Sequence, residues 1–351
     1  MARVRVGIIG TGWGARVQVP AFRSAGLQVT AIAGSDPEKT RRVAGELDLM
    51  PFDDWKDLAA SPEFALVSIV TPPSEHLQMA LAALEAGKHV LSEKPTARNA
   101  QEAEWMTTAA ARRPGQLALI DHELRFLPSW LEARRVRAEL GTVRYAEVRY
   151  ASPSRGDPSR SWTWWNDAEK GGGILGAAGS HYVDALRYLV GEITAAQGLL
   201  HTFIRERPAG DGVRRATSDD FAAAHLRLAG DALADMVFSV VAACDEETTL
   251  TVHGTRAGMR LRGEDLWWSE GGGEWTRRVS GENLQVPGNS PGGAFGSGTV
   301  YLARALHAAL VDGDRSALAP AATFADGLAQ QRVLDAVRRS HAAGGRWEEV
   351  R

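Results

Sequence analysis

A glycine-rich turn directly behind an apolar run constrains the fold of this chain more than any other feature. The run "VRVGII" (residues 4–9) leads into "GTGWGA", which carries Gly10, Gly12 and Gly14, with Ala15 at the last position of a G-x-G-x-x-G/A pattern. Glycine permits the tight turn between a buried strand and the following helix, and it lets other atoms approach the backbone. The turn therefore predicts the start of a β-α-β series.

The same alternation continues to about residue 121. Further predicted strands are "QVTAIA" (28–33), "LVSIV" (66–70), "HVLS" (89–92) and "LALI" (117–120). Between them, Ser74 is predicted to cap the helix "EHLQMALAALEA" and Gly87 to end it, while Asn99 is predicted to cap the helix that starts at Ala100. Because repeated strand–helix–strand order gives a parallel sheet with right-handed crossovers, we predict a doubly wound Rossmann domain over residues 1–121.

The pattern changes behind residue 121, where strand-like runs follow one another with few helices between them. Strands are predicted at 143–151, 221–229, 233–243 and 248–254, helices at 129–140, 176–190, 299–312 and 321–342, and a loop at 287–298 that is either a connector or a lid. Such an order indicates an α+β domain over residues 122–351, with a large, mainly antiparallel open sheet.

Composition narrows the class of protein. The 351 residues are 44% hydrophobic and 24% charged, which suits two folded domains, and the net charge of −3 gives no electrostatic reason to expect nucleic acid or a membrane surface as partner. The single cysteine, Cys244, cannot form an internal disulfide and is predicted to be a buried small side chain on a strand. Together with the lack of a long apolar stretch, this predicts a soluble, cytoplasmic protein; no metal site is predicted.

The glycine turn predicts a dinucleotide site. Gly10 permits the turn, Gly12 lets the backbone approach a pyrophosphate, and the helix that follows presents its N-terminus to the phosphates, so that Thr11, Trp13 and Gly14 are predicted contacts. At the tip of the second strand, an NAD-preferring site would hold an acidic residue for the ribose.

The chain instead has "GSDPEKTRR" at that tip. Asp36 precedes a proline and is predicted to cap the next helix, although its position also fits the ribose contact. Ser35, Lys39 and Arg42 would accommodate a 2′-phosphate, so we expect NADP(H) as the cofactor in preference to NAD(H).

Two further motifs follow predicted parallel strands, at the edge where open α/β sheets bind ligands. The first, "TPPSEH", supplies Thr71, Pro72 and His76, and the second, "SEKP", supplies Glu93 and Lys94 as further predicted cofactor contacts. The chain has only five lysines against 35 arginines, so a lysine at position 94 stands out, either as a surface residue or as a compact donor in a site.

The stretch "GGGILGAAGSH" (171–181) ends on His181, and Asp184 lies three residues later on the same predicted helix face. His181 is either a site residue or a packed structural residue. Before it come Trp162, Trp164 and Trp165, which read equally well as a substrate wall or as a core or subunit-contact cluster. His122 is a weaker candidate for the cleft.

Taken in order, "GIIGTGWGA", "TPPSEH", "AGKHVLSEKP", "GGGILGAAGSHYVD" and "FADGLAQQRVLDAVRRS" resemble the glucose–fructose oxidoreductase / inositol dehydrogenase / rhizopine-catabolism family along nearly the whole chain. The resemblance implies hydride transfer between NAD(P) and a sugar, cyclitol or related hydroxy compound, and a homodimer or homotetramer. It assigns Lys94 and His181 to the family's lysine and histidine. The family's aspartate, four residues before that histidine, falls on Ala177.

These residues suggest a mechanism with open alternatives. His181 would take the hydroxyl proton, Lys94 would stabilise alkoxide character, and Asp184 would either replace the missing carboxylate or bind groups nearby. Because of Ala177, one rival is a cofactor-binding sensor without turnover, as in the galactose-pathway repressor of yeasts, which resembles this family. A second rival is NAD-dependent glycoside hydrolysis with a recycled cofactor.

Overall fold

The computed structural model describes residues 4–282, 284 and 293–351, and it divides them into two compact units. The first unit comprises residues 1–97, 101–127 and 282–328, and the second comprises 98–100, 128–281 and 329–351. The predicted boundary at residue 121 differs from this division, because the chain returns to the first unit after residue 281.

The first unit is built on a mostly parallel sheet. Its strands are β1 (Arg5–Ile9), β2 (Gln28–Ala33), β3 (Met50–Phe52), β4 (Leu66–Ile69), β5 (His89–Ser92), β6 (Ala118–Ile120) and β17 (Ala322–Thr323). In the described part of the chain these seven strands have the order β17-β6-β5-β4-β1-β2-β3, with only β17 antiparallel to its neighbour. This is the predicted doubly wound sheet.

Helices cover both faces of this sheet. They are α1 (Val19–Ser24), α2 (Pro37–Leu47), α3 (Trp55–Ala60), α4 (Pro73–Glu85), α5 (Ala100–Ala111) and α8 (Ala294–Leu310). One apolar core contains Phe22 of α1 and Leu306 of α8, and the other contains Leu58 of α3 and Leu84 of α4. The returning helix α8 therefore completes a core that the N-terminal segment leaves open, because its apolar stripe packs against α1.

The second unit holds a sheet of nine strands among the residues described. They are β7 (Val143–Ala151), β8 (Ile193–His201), β11 (Phe221–Leu228), β12 (Leu233–Ser239), β13 (Glu246–Gly254), β14 (Ala257–Arg262), β15 (Asp265–Glu270), β16 (Thr276–Val279) and β18 (Glu348–Glu349). Their order is β16-β15-β14-β13-β7-β12-β11-β8-β18, antiparallel except for the pair β7 and β12. A separate hairpin joins β9 (Glu206–Ala209) to β10 (Gly212–Arg215). The predicted α+β class is confirmed.

The remaining helices are α6 (Pro128–Val136), α7 (Ser180–Leu189) and α9 (Phe324–Ala342). No helix in the described residues combines the length and apolar character needed to cross a membrane. The same residues contain no group of three or more His, Cys, Asp or Glu side chains placed to hold a metal ion.

Several local predictions fail for identifiable reasons. Ser74 does not cap α4, because the helix already begins at Pro73 and the Ser74 hydroxyl donates to Glu75 instead. Cys244 is exposed in the bend between β12 and β13, since β12 ends at Ser239 rather than at residue 243. The predicted loop at 287–298 overlaps the start of α8 at Ala294, whereas residues 287–292 lie outside the described part.

Candidate active site

The glycine turn has the conformation that its sequence predicts. Gly10 has a φ of +140°, and a Cβ there would lie 2.1 Å from the carbonyl oxygen of Val70, so no other residue fits without displacing the next strand. A Cβ on Gly12 would meet nothing within 4 Å, and Gly12 is exposed. The turn is thus closed on the sheet side at Gly10 and open to a ligand at Gly12, while Thr11 and Trp13 remain half-buried beside it.

The segment behind the turn differs from the predicted α-helix. Residues Gly14–Gln18 form a π-helical turn before α1 begins, and π turns occur frequently at functional sites. The turn carries the side chain of Gln18 into the interior, where it is fully buried. One local signal marks this residue, namely a polar glutamine between two valines in "VQV".

Gln18 joins three strand ends of the sheet through a buried hydrogen-bond network. The Ser68 hydroxyl donates to Gln18 Oε1 over 2.6 Å, which orients the amide so that its Nε2 donates to Asp121 Oδ2 over 2.8 Å and to Glu93 Oε1 over 3.3 Å. Asp121 follows β6 and Glu93 follows β5. Glu93, the neighbour of Lys94, is therefore held by Gln18, a residue that the sequence analysis did not identify.

The two carboxyl groups of this network share an environment that disfavours charge. Burial raises the pKa of Asp121 well above its usual range, and the neighbouring carboxylates Glu93 and Glu123 raise it further. Burial also raises the pKa of Glu93, although the positive charge of Lys94 opposes that shift. The interaction between the two carboxyl groups raises the pKa of Asp121 and lowers that of Glu93, so a proton is favoured on Asp121 over Glu93.

Replacing Asp121 by asparagine is expected to flatten the dependence of folding stability on pH. Because the folded-state pKa of Asp121 lies above its unfolded value, the folded protein retains a proton that the unfolded chain releases, and the wild-type protein loses stability as pH rises through that folded-state pKa. Asparagine keeps the shape but cannot ionise. Unfolding free energies should be measured in urea from pH 5 to pH 9. The stability of Asp121→Asn relative to the wild-type chain should increase as pH rises. Parallel curves would contradict this, and the exposed Asp211→Asn serves as the control.

His76 holds two loops together at the same sheet edge. Its ring is fully buried, with Nε2 2.9 Å from the Thr71 carbonyl oxygen and Nδ1 3.1 Å from that of Pro95. Burial lowers the pKa of His76, although its hydrogen bonds to the backbone of Thr71, Thr96 and Pro95 oppose that shift. Of the predicted cofactor contacts, His76 therefore positions the segments of Thr71, Pro72 and Lys94, and its ring has no surface to present to a ligand.

At the tip of β2, the side chains around Ser35 are exposed. Asp36 caps α2, since its carboxylate accepts from the backbone N–H groups of Glu38 and Lys39. Arg42 forms an ion pair with Glu46 over 3.0 Å. The capping interpretation of Asp36 is confirmed, and Ser35 is left as the small side chain at the tip.

In the second unit, His181 lies on the first turn of α7 and Asp184 one turn later on the same face, both almost completely buried. A second π turn, Leu175–Gly179, precedes the helix and contains the half-buried Ala177. Lys94 belongs to the first unit, whereas His181 and Asp184 belong to the second.

The glycine run before His181 is packed against Asp219, a residue that the sequence analysis did not identify. A Cβ on Gly173, whose φ is +108°, would lie 2.3 Å from Asp219 Oδ1, and Asp219 Oδ2 accepts from the Leu175 backbone N–H over 2.8 Å. Burial raises the pKa of Asp219. Glycine at position 173 and the carboxyl of Asp219 together fix the entry into the π turn.

The tryptophans do not form one continuous wall. The guanidinium of Arg214 covers the ring of Trp162 at 3.5 Å, and that of Arg155 covers Trp165 at 3.9 Å. Trp165 is only 7% exposed and Trp164 is 37% exposed. His122, the weaker candidate, is buried in the first unit ahead of a short 3₁₀ turn.

Comparison with known proteins agrees with this architecture. The profile of the oxidoreductase family with an NAD-binding Rossmann fold matches residues 4–120, and that of the GFO/IDH/MocA C-terminal domain matches residues 130–260. Glucose-fructose oxidoreductase domain-containing protein 2 of Mus musculus is 31% identical over 364 residues, which cover 98% of this chain and 93% of the mouse protein.

Solved structures are similar over the whole length. A levoglucosan dehydrogenase in complex with NADH and L-sorbose is 25% identical with a TM-score of 0.87, and an oxidoreductase domain protein from Kribbella flavida is 28% identical with the same TM-score; both alignments cover 100% of either chain. Matching profiles for both parts of the chain, in the order that its motifs predict, show that it belongs to the Gfo/Idh/MocA oxidoreductase family, with an NAD-binding Rossmann fold in its first unit.

Proposed function

We propose that this chain is an NAD(P)-dependent oxidoreductase that acts on a hydroxyl or keto group of a sugar, a cyclitol or a related compound. The observation that supports it best is the glycine turn, which is closed against Val70 at Gly10 and open at Gly12 on the carboxyl edge of the parallel sheet. This cradle fits a dinucleotide pyrophosphate, because backbone N–H groups and a helix N-terminus meet there. The dehydrogenase with bound NADH and L-sorbose, which shares the fold, supports the same reading.

The roles of the residues follow from their chemistry. Gly10, Thr11, Gly12, Trp13 and Gly14 would hold the cofactor phosphates, and Thr71, Pro72, Glu93 and Lys94 its nicotinamide half. When bound, the nicotinamide supplies the acceptor or donor of the hydride. In the proposal His181 accepts the hydroxyl proton, or returns it in the reverse direction, because an imidazole exchanges protons near neutral pH. The Lys94 ammonium stabilises negative charge on the reacting oxygen.

Ala177 bears on how His181 is oriented. The position that holds an aspartate in the pattern of the family carries a methyl group here, so no carboxylate at 177 orients the imidazole. Burial of His181, which is 3% exposed on a closely packed helix, restricts its ring in another way. Asp184 on the same face is the carboxylate that the proposal assigns to this role. We therefore expect the base to be retained without the aspartate.

The cofactor preference is a separate proposal. Asp36 is committed to capping α2, which leaves Ser35 and the cations Lys39 and Arg42 near the tip of β2, and we propose that they favour the 2′-phosphate of NADP(H). Equilibrium titration should give a lower Kd for NADPH than for NADH, and Ser35→Asp should weaken NADPH binding by roughly tenfold or more through like-charge repulsion. Equal affinities, or tighter NADH binding, would remove this preference.

The function itself is tested by incubating the purified chain with sugars, cyclitols and their keto forms, and following the absorbance of the reduced nicotinamide with NADP(H) and NAD(H). At least one such compound should give net turnover. Tight cofactor binding without turnover of any compound would instead favour the sensor that Ala177 suggests. Release of an aglycone without net cofactor change would favour glycoside hydrolysis. The homodimer or homotetramer stays a prediction.

A further inference from the structure

Arg155 of the second unit is a cation for which the described part of the chain supplies no counterion. It follows β7 by four residues, its backbone N–H donates to the Val240 carbonyl oxygen just past the parallel neighbour β12, and its side chain is half-buried. Among the residues that the structure describes, no carboxylate forms an ion pair with its guanidinium. An uncompensated charge that is partly removed from water is costly, which makes such a group a candidate for binding an anion.

A second arginine lies directly behind Arg155. Arg207 is 2% exposed; its Nη2 donates to the Arg155 carbonyl oxygen over 2.6 Å and its Nη1 to that of Asp157 over 2.8 Å, while its Nε has no hydrogen-bond partner. The nearby carboxylate of Asp220 accepts from the backbone N–H groups of Phe203 and Ile204. Arg207 therefore fixes the backbone of Arg155 and adds positive charge beside it.

The neighbouring positive charges affect the pKa of Arg155. Burial, together with the positive charges of Arg160 and Arg207, lowers the pKa of Arg155 to about 10. The Arg160 guanidinium donates to the Ser154 carbonyl oxygen and so remains close by, whereas the exposed Asp157 carboxylate accepts from Ser159. A bound anion would relieve this repulsion among three guanidinium groups.

The geometry of the stack leaves the binding edge of Arg155 available. The guanidinium carbon of Arg155 lies 3.9 Å from the centroid of the Trp165 ring, a cation–π contact that restricts the position of the group, and none of its N–H groups donates a hydrogen bond within the described residues. A planar fork of donors matches the oxygens of a carboxylate or a phosphate in a bidentate manner. Trp165 therefore serves as a platform for a donor pair rather than as an open wall for a sugar.

Contacts within the second unit connect this cluster to the segment that carries His181. The carbonyl oxygen of Trp165 packs against Gly172 so closely that a Cβ there would lie 2.2 Å from it, and the glycine run leads directly into the π turn before His181. The ring of Phe238 lies 6.4 Å from that of Tyr150, near Arg155, and 5.8 Å from that of Tyr182, the neighbour of His181. The rings of Tyr150, Phe238 and Tyr182 thus form one aromatic cluster between the segment of Arg155 and helix α7, which carries His181.

We propose that Arg155, positioned by Arg207 and Trp165, forms an anion-binding subsite that holds a carboxylate or phosphate group of the substrate. The inference rests on the proposed function and narrows it to acidic or phosphorylated sugars and cyclitols. It assigns Arg155 to substrate recognition. It also gives Trp165, in the tryptophan-rich segment before the glycine run, the role of positioning the Arg155 guanidinium.

Arg214, on β10 of the same unit, offers a matched control. Its guanidinium also covers an indole, that of Trp162 at 3.5 Å, but its charge is balanced by Asp167, with Nη2 3.5 Å from Oδ2. Both arginines therefore make a stacking contact, and only Arg155 lacks an acidic partner. If Arg155→Gln and Arg214→Gln differ in anion binding, the difference comes from the unbalanced charge of Arg155 and not from its contact with an indole ring.

The test is calorimetric titration of the full-length chain, without cofactor, with D-glucuronate, glucose 6-phosphate and neutral glucose. At least one anionic sugar should bind more tightly than glucose, and which one distinguishes a carboxylate from a phosphate. Arg155→Gln should weaken that binding by about tenfold or more, the loss expected for a hydrogen bond to a charged group. Arg214→Gln should leave it within about twofold.

A second variant separates the loss of the donor fork from a loss of folding. If Arg155→Gln folds poorly, Arg155→Lys keeps the charge without the fork and should bind with intermediate affinity. Equal losses in Arg155→Gln and Arg214→Gln, or no preference for the anions in the wild-type chain, would overturn the inference. Turnover of neutral sugars alone would contradict the anion subsite but still support the proposed function. Anion binding without turnover of any compound would contradict the proposed function but still support the subsite.

Discussion

Replacing Lys94 by alanine is expected to lower kcat by about 100- to 1,000-fold, the loss typical of removing one group that stabilises developing charge. In the proposed mechanism the ammonium stabilises the reacting oxygen as it gains alkoxide character. Lys94→Arg should not restore the rate, because a guanidinium is larger and presents a planar fork of donors in place of a compact point charge. Steady-state kinetics with the substrate found by screening would measure the effect.

Two controls accompany this experiment. Lys56→Ala removes an exposed lysine from the first turn of α3, to which the proposal gives no role, and should retain full activity. Titration of Lys94→Ala with NADPH reports whether the variant still binds the cofactor, which separates a loss of chemistry from a loss of binding. Full activity in Lys94→Ala would show that the proposed site is wrong.

His181→Gln is expected to lower kcat by about 100- to 10,000-fold, the range for loss of a positioned general acid or base. Glutamine occupies a similar volume in the buried first turn of α7 but does not titrate. The variant should therefore also lose the limb of the pH–rate profile that the imidazole produces in the wild-type enzyme. The readout is kcat as a function of pH.

The exposed His201 on β8 provides the control for this substitution, and His201→Gln should keep both the rate and the pH dependence of the wild-type chain. A His181→Gln variant with an unchanged pH–rate profile would assign His181 to packing. In that case the proton acceptor would have to be sought among the other buried groups of the same helix, such as Asp184 one turn later.

The buried network of the first unit gives Lys94 its setting. Gln18 links Ser68 of β4 to Glu93 after β5 and to Asp121 after β6, so three strand ends and the π turn behind the glycines form one hydrogen-bonded group. Because burial raises the pKa of both Asp121 and Glu93, the pair carries less negative charge near Lys94 than two solvent-exposed carboxylates would. The neutral variant Asp121→Asn is expected to preserve that arrangement.

Features encoded within a few neighbouring residues were predictable. The strand 28–33 matches β2 and the strand 143–151 matches β7, because apolar or alternating runs bounded by turn residues reveal the period of a strand. Asp36 before a proline was recognisable as a helix cap for the same reason. Short edge strands escaped prediction: β3 has three residues, of which two are exposed, so it carries no buried pattern.

Contacts between distant residues were not predictable from one sequence. Gln18 and Asp121 are 103 residues apart, and Arg207 contacts a backbone carbonyl 52 residues earlier in the chain. The exposure of Cys244 depends on where β12 ends, which its pairing with β7 and β11 decides. No local pattern contains this information, because hydrogen bonds and burial are properties of the assembled sheet.

By itself, the sequence determined the parallel Rossmann sheet, the glycine turn at the end of β1, and the position of Lys94 behind β5, because each follows from apolar periodicity and from glycine at a turn. Only the tertiary structure decided that residues 282–328 return to the first unit, that Asp121 and Glu93 share a buried environment, and that Arg155 has no counterion among the described residues. The physical reason is that apolar packing and the burial of charge depend on which segments meet in space, and that is fixed only when the whole chain has folded.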